Sequence, residues 1–394
     1  MSSRKGQRGQ KPGKQKSREE HSKRPSNLHR RKSYRKLYLV ALGLVAAVAA
    51  IVFISIALPG RDPRMHRIHV VFPDGGDREP YGLLIGVLEE LPAARAPREV
   101  RLFSTGSLPL PPDRDVVVGE ANFGDPASSL VAADPFVLVT DQRFGPAPME
   151  RTEATLLDLE EWLISLGTSM RHPLVVAGDN PLDFAAFILY LAGELSDDET
   201  LDRVERALDE YAGSSSAEPP SQDEVESLIG DLETVVTLLE DWTARGILAF
   251  NWTNWDHIAV RQAFRDGTAA VGFQQRSRIS SWSRQERFHL RVQLPPVGPG
   301  RRTYRMTGVG VAVLAGDGPS AEGAEGIRSV FLQSEVQHAI ETETTFTPVR
   351  LGADAVNREH RDLVRWIDGA ADYVVVNETA AAHPMFRRLH QLLR

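Results

Sequence analysis

Leu37–Leu58 (LYLVALGLVAAVAAIVFISIAL) is a run of 22 residues without a charge. Wound as an α-helix at about 1.5 Å per residue, it would reach roughly 33 Å, enough for a hydrocarbon layer about 30 Å thick. A core helix of a water-soluble domain normally keeps a polar stripe, and this run offers only Tyr38 and Ser55. The segment is therefore expected to span a membrane. Arg30, Arg31, Lys32, Arg35 and Lys36 crowd one end, while Pro59, Gly60 and Asp62 follow the other. The positive-inside bias places residues 1–36 in the cytoplasm and residues 59–394 on the extracytoplasmic side. With 22 apolar residues the run exceeds the core of a cleaved signal peptide, so an uncleaved single-pass anchor in the cell membrane is expected.

The run also separates two unlike compositions. Residues 1–36 carry 14 Lys and Arg against Glu19 and Glu20, a balance of +12; the other 358 residues carry 32 basic and 51 acidic side chains, −19. The basic segment has almost no apolar residue and is expected to be an unstructured tail that orients the anchor and is drawn to anionic lipid. No nucleic-acid partner is expected of it, because aromatic residues for base stacking are nearly lacking. Every lysine precedes Leu37, which removes Schiff-base and P-loop chemistry from the rest of the chain. Cysteine is absent, which excludes disulfides, thiolate metal sites and a cysteine nucleophile.

Beyond a linker at 59–65, short β-branched runs alternate with helical patterns. Ile68–Phe72, Val100–Ser104, Asp115–Val118 and Phe136–Thr140 read as strands, with Tyr81–Leu91 as a helix after the first. Connections too long for hairpins argue for β-α-β units and a parallel sheet. Thr155–Met170 reads as an amphipathic helix and Leu174–Ala177 as a short buried run. Leu182–Leu195 is apolar nearly all round and reads as a buried helix. Val235–Arg245 is helical with Gly246 as its stop. Arg261–Gly267 and Thr268–Phe273 form helix, turn and strand, Val309–Ala315 a further strand, and Glu322–Leu332 and Glu335–Glu341 helices.

The chain contains no H-E-x-x-H, G-x-S-x-G or G-x-x-x-x-G-K-[ST] motif, and no enzymatic activity is expected. Asp179 and Asp183 are either paired carboxylates or N-caps at a helix start, and His257 is either a lone base or an ordinary surface or core histidine. The densest cluster of recognition chemistry is Phe250-Asn251-Trp252-Thr253-Asn254-Trp255-Asp256, with Trp282 in Arg278–Arg284. Aromatic faces beside amides suit a sugar or another small polar ligand, and filling a core is the alternative for these tryptophans.

The order of segments from about residue 66 resembles the family 1 extracellular solute-binding proteins of ABC importers, the maltose-type group. Phe264-Arg265-Asp266-Gly267-Thr268-Ala269-Ala270-Val271 is similar to the family's F-x-x-G-x-A-A-M turn, with Val271 in the methionine place. Gly272-Phe273-Gln274 through Trp282 stands where the family has a binding loop. Pro295-Pro296-Val297-Gly298 followed by Thr307–Val313 resembles its return crossing. Glu335 and Gln337, then Thr347-Pro348, resemble S-x-E-x-Q … G-x-x-P, with Thr344 or Thr345 where glycine is usual.

The resemblance implies a two-lobed α/β fold closed about hinge strands at Phe136–Thr140 and Arg305–Val309. The lobes would be 66–138 plus 306–350 and 141–304 plus 351–394. It implies capture of a small solute for an ABC permease, without cofactor or metal. Ligand contacts would come from Asp74, Gly75, Glu120, Asn122 and Phe123 in one lobe and from Asn180, Trp252, Asn254, Trp255, Gln274 and Trp282 in the other, with a turn or cap role as the favoured alternative for Asp74 and Asn180. The charge of −19 disfavours anionic ligands and leaves a neutral sugar or oligosaccharide as the leading class. A tethered sensor or envelope scaffold that reuses the same fold is the alternative.

Overall fold

The computed structural model describes residues 67–72, 79–90, 99–104, 116–121, 130–145, 154–167, 170–213, 219–296, 298, 307–314, 326, 328–350 and 375–394. The expected tail, the anchor Leu37–Leu58, and Asp74, Gly75, Asn122 and Phe123 lie outside these residues. No helix among the described residues is long and apolar enough to cross a membrane.

Three parallel strands open the fold. β1 (Arg67–Phe72) lies between β2 (Glu99–Ser104) and β3 (Val116–Glu120), and α1 (Glu79–Glu89) fills the crossover from β1 to β2. The β-branched runs Ile68–Phe72 and Val116–Val118 thus form the sheet that their composition predicts. A strand from much later in the chain, β8 (Thr307–Leu314), runs antiparallel to β3 and then to β4 (Leu130–Asp141).

β4 is the spine of the molecule. All 12 of its residues are buried. Its first half pairs with β8 and with β9 (Thr347–Pro348), and its second half with β6 (Val271–Gln275) and β7 (Leu290–Gln293). β5 (Leu174–Val176) extends the second half, parallel to β6. Only the second half, Phe136–Thr140, reads as a strand in the sequence. Leu130–Pro135 (LVAADP) hides its strand behind two alanines, a buried aspartate and a proline. Pro135 has no N–H to give the ladder, and the register against β8 shifts between Asp134 and Pro135. The second expected crossing begins at Arg305 and Met306, outside the described residues, while Thr307–Val309 open β8 opposite Pro135 and Asp134.

Each half of β4 serves its own core. Around the first half, Val70, Val118, Val131 and Ala132 pack on Tyr81, Leu84 and Leu88 of α1 and on Val336 and Ile340 of α10 (Ser334–Glu343). Around the second half the sheet is covered on both faces. On one face Phe136, Leu138, Val176 and Phe273 meet a thick helical layer: α2 (Leu156–Leu166), α3 (Pro181–Leu195), α4 (Asp198–Gly213), α5 (Gln222–Asp231) and α6 (Glu233–Ala244). The C-terminal helices α11 (Glu378–Ala381) and α12 (Pro384–Leu392) join this layer through Ala380, Met385, Phe386 and Leu389. On the other face Val137, Val139 and Val175 meet Val260 and Phe264 of α7 (His257–Arg265), Ile279 of α8 (Arg276–Ser280) and Trp282. A further short helix, α9 (Arg284–Arg287), leads into β7.

Alternation along β4 explains the two faces: residues 136 and 138 point one way and 137 and 139 the other. Phe136 stacks on Phe273 at 5.4 Å between ring centroids. Truncating either ring to alanine would cost about 3–5 kcal/mol.

Candidate functional site

In an open α/β sheet the carboxyl ends of the strands collect helix N-termini and loops. Here β5 and β6 end beside the middle of β4, since Gln275 pairs with Phe136. α3 follows β5 directly, and α7 leads back into β6, so both helices start at this end.

The local sequence sets each start. In Asp179-Asn180-Pro181 the proline takes the first helical turn, where its missing N–H costs nothing. Asn180 is the N-cap: its Oδ1 accepts from the N–H groups of Leu182 and Asp183, both at 3.0 Å. Asp183 is thereby freed from capping, contrary to one of its two sequence readings. Asp256 caps α7 by accepting from Ala259 N–H at 2.8 Å, which places His257 in the first helical position.

Asp183 is fully buried, and its carboxyl has only weak hydrogen bonding, from the backbone N–H groups of Gln275 and of Asp183 itself. His257 Nε2 stands 3.4 Å from one of them. Burial pushes Asp183 up to about 8; the nearby Arg278 guanidinium pulls the other way, and the charge of Asp134 adds to the rise. Burial, helped by Arg278, takes His257 down to about 4. Near neutral pH the pair is therefore an uncharged acid beside an uncharged imidazole.

Asp134 occupies the point where β4 passes from one sheet to the other. Its carboxylate accepts from Ser277 N–H at 2.9 Å and from the Ser277 hydroxyl, so it fixes the start of α8 to the spine. Burial raises it to about 6, against the Ser277 hydrogen bonds and the positive charges of Arg276 and Arg278. Two contacts tie this rim to the end of the first sheet. Arg276 reaches the carbonyl of Thr345 at 3.5 Å, and Asn377, the N-cap of α11, donates from Nδ2 to the carbonyl of Ala121 at 3.3 Å. Among the described residues no cluster of His, Asp and Glu is arranged to hold a metal ion.

The residues singled out in the sequence fall into three groups. Trp252, Trp282 and Gln274 are inside the protein: Trp252 is 1% exposed and stacks on Phe184 at 5.7 Å, and Trp282 lies against Phe264 at 5.6 Å. Gln274 is fully buried on β6, opposite Val137. For the two tryptophans the packing alternative describes their place. Asn254 and Trp255 remain at the surface of the rim. Asn254 is exposed, and Trp255 is half-buried, its Nε1 donating to Asn251 Oδ1 at 3.2 Å and its ring meeting the edge of His172 at 5.8 Å. The Trp255 carbonyl accepts from Asp179 N–H at 3.0 Å, which sets this aromatic beside the β5–α3 loop. Glu120 closes β3 opposite Val311, and Asp74, Asn122 and Phe123 lie outside the described residues.

Asp134, Arg276 and Arg278 are absent from the expected site. An aspartate inside an otherwise apolar run and two arginines directly after a buried strand were the available signals.

Comparison with known proteins gives one kind of match. No family model matches the chain, and no curated protein matches it. Solved structures do. The bacterial solute receptor AcbH, described as having an exclusive preference for β-D-galactopyranose, superposes with a TM-score of 0.55 at 11% identity, over 83% of this chain and 97% of that one. The binding protein MsmE from Bacillus subtilis, in an open conformation, gives 0.51 at 10% identity over 84% and 92%. The cyclic α-maltosyl-1,6-maltose binding protein from Arthrobacter globiformis gives 0.50 at 13% identity over 83% and 93%. The chain has the α/β fold of the two-lobed solute-binding proteins.

Proposed function

We propose that the chain is an extracytoplasmic solute-binding protein, held to the cell membrane by Leu37–Leu58, that captures a neutral sugar or oligosaccharide and presents it to an ABC permease. The observation that carries this reading is the passage of β4 between two sheets, with the carboxyl ends of β5 and β6 and the end of β3 gathered at the passage. A ligand held there touches both sheets and stabilises their approach, which is the energetic requirement for closure by hinge bending. Trp255 supplies an apolar ring face and Asn254 an amide on one side. On the other side we assign Glu120, the last residue of β3, and, from sequence order alone, Asp74, Asn122 and Phe123. The lobe limits are 66–138 plus 306–350 and 141–304 plus 351–394. The similarity in fold to receptors named for galactopyranose and cyclic maltosyl-maltose supports a carbohydrate.

The test is a thermal-shift screen of the full chain against mono- and oligosaccharides, amino acids and polyamines. A selective ligand raises the midpoint because it binds the folded state only. Trp255→Ala should abolish the shift while leaving the unliganded midpoint within a few degrees. A Trp255→Ala variant that responds to the sugar like its parent would refute the site.

One observation favours a second reading, a tethered sensor or scaffold on the same fold. Asp134–Ser277, Arg276–Thr345 and Asn377–Ala121 already join the groups at the passage to one another. That reading predicts no shift with any solute in the screen.

A further inference from the structure

The two covered faces of the second sheet carry opposite charge. The layer built by α4, α5 and α6 holds 13 Asp and Glu against Arg203 and Arg206, with Arg245 at the end of α6 and Arg388 of α12, paired with Glu226, as further basic members. The layer on the other face, from the start of α7 to α9, exposes Arg261, Arg265, Arg284 and Arg287, with Asp256, Asp266 and Glu286 as acidic companions. This lobe is thus basic on one side, although the chain beyond the anchor is acidic overall.

The basic side is also apolar. Phe288 is 78% exposed and Ile258 is 75% exposed. Helical spacing puts Ile258, Arg261 and Arg265 on one stripe of α7. In the same way Arg284, Arg287 and Phe288 share the outward side of α9. Arg261 grips Glu286 with two hydrogen bonds, at 2.8 and 2.6 Å, which locks the two stripes side by side into one surface. Glu286 is held well below the usual carboxylate range by this pairing. Its charge is consumed within the surface.

We infer that this face rests on an anionic lipid surface, with the arginines among the headgroups and Phe288 and Ile258 at the boundary with the acyl chains. An exposed phenylalanine and isoleucine ringed by arginines is the pattern of an interfacial contact, and the acidic layer opposite turns the lobe the same way in the field of the membrane. The inference rests on the membrane attachment proposed above, which keeps the bilayer within reach, and not on solute capture.

The absence of cysteine makes the test direct. Gln285→Cys beside the patch, or Gln222→Cys on the acidic layer, gives the full chain a single site for an environment-sensitive dye. The labelled chain is placed in lipid nanodiscs of phosphatidylcholine alone or with phosphatidylglycerol. The dye at 285 should shift to the blue and be quenched by spin-labelled lipid in the anionic discs only, and high salt should reverse this. The dye at 222 should not respond. Arg284→Glu with Arg287→Glu should weaken the response by about tenfold or more.

Equal signals in neutral and anionic discs, or an equal response at 222, would overturn the inference. Shielding of 285 in native membranes but not in protein-free anionic discs would also overturn it, and would assign the face to an acidic protein partner. Incorporation into the discs reads the anchor separately. A chain that stays outside them refutes the anchor, and the same labelled chain added to preformed anionic vesicles then reads the surface contact.

Discussion

Replacing Asp183 by asparagine should make the protein more stable, and increasingly so as the pH rises. The folded carboxyl titrates near 8, whereas in the unfolded chain it returns to about 3.8. Between those values the folded state holds a proton that the unfolded state has released, so stability falls as the pH climbs. Each pH unit in that window removes up to about 1.4 kcal/mol. From pH 5 to pH 7 the loss is up to about 3 kcal/mol, and above pH 8 it is complete. Asparagine keeps the shape and an acceptor but has no proton to lose, so its stability curve lacks this slope. In a domain of this size 1 kcal/mol moves the melting temperature by roughly 2 °C. The gap between Asp183→Asn and its parent should therefore widen by roughly 6 °C between pH 5 and pH 7, measured by calorimetry or circular dichroism on the same preparations. Parallel curves, or an asparagine variant that is less stable at pH 7, would show that Asp183 is ionised beside a protonated His257, and the neutral pair would be wrong.

Other outcomes follow from the same geometry. His257 titrates near 4 in the fold against 6.5 when unfolded, so it supports the folded state above pH 6.5 and this support is lost as the pH falls towards 4; His257→Gln should flatten the acid limb of the melting curve. Gly178→Ala would place a Cβ 2.7 Å from the Trp252 carbonyl oxygen and 2.8 Å from Thr253 Cα, both backbone atoms, and should destabilise by up to about 3 kcal/mol in urea titration. Tyr190→Phe removes the buried hydroxyl that donates to the Pro296 carbonyl at 3.0 Å, and should cost about 1 kcal/mol and speed amide hydrogen exchange at Leu294 and Gly298, which flank the two prolines.

Elements whose composition matches their surroundings were readable from the chain. α3 has 13 buried residues and reads as an apolar helix because it is covered on all sides, and Gly246 stops α6 with the positive φ of 74° that glycine permits. The first half of β4 was not readable. Small side chains serve there because neighbouring strands and helices press on it from every direction, and Pro135 is tolerated at a register shift. β7 and β9 are short, and nothing in four or two residues separates them from loop. The site shows the same division. The aromatic segment stood out because tryptophan is rare, yet rarity does not tell a core ring from an exposed one, and Trp252 and Trp255 part company on that point. Asp134, Asp183 and Arg278 act together only because the 48 residues between the first two return the chain to one place. That proximity is set by topology, which local patterns do not encode.

β4 lends its backbone to β8 and β9 along one half and to β6 and β7 along the other. The first half of the protein can therefore not be excised as an autonomous fragment: a cut near Pro135 would part β1–β3 and Leu130–Asp134 from β8 and β9 and bare hydrogen-bonding edges that would seek foreign strands. Splitting this chain there into reporter halves, or grafting the first half onto another scaffold, should yield aggregates unless that piece also regains β8 and β9.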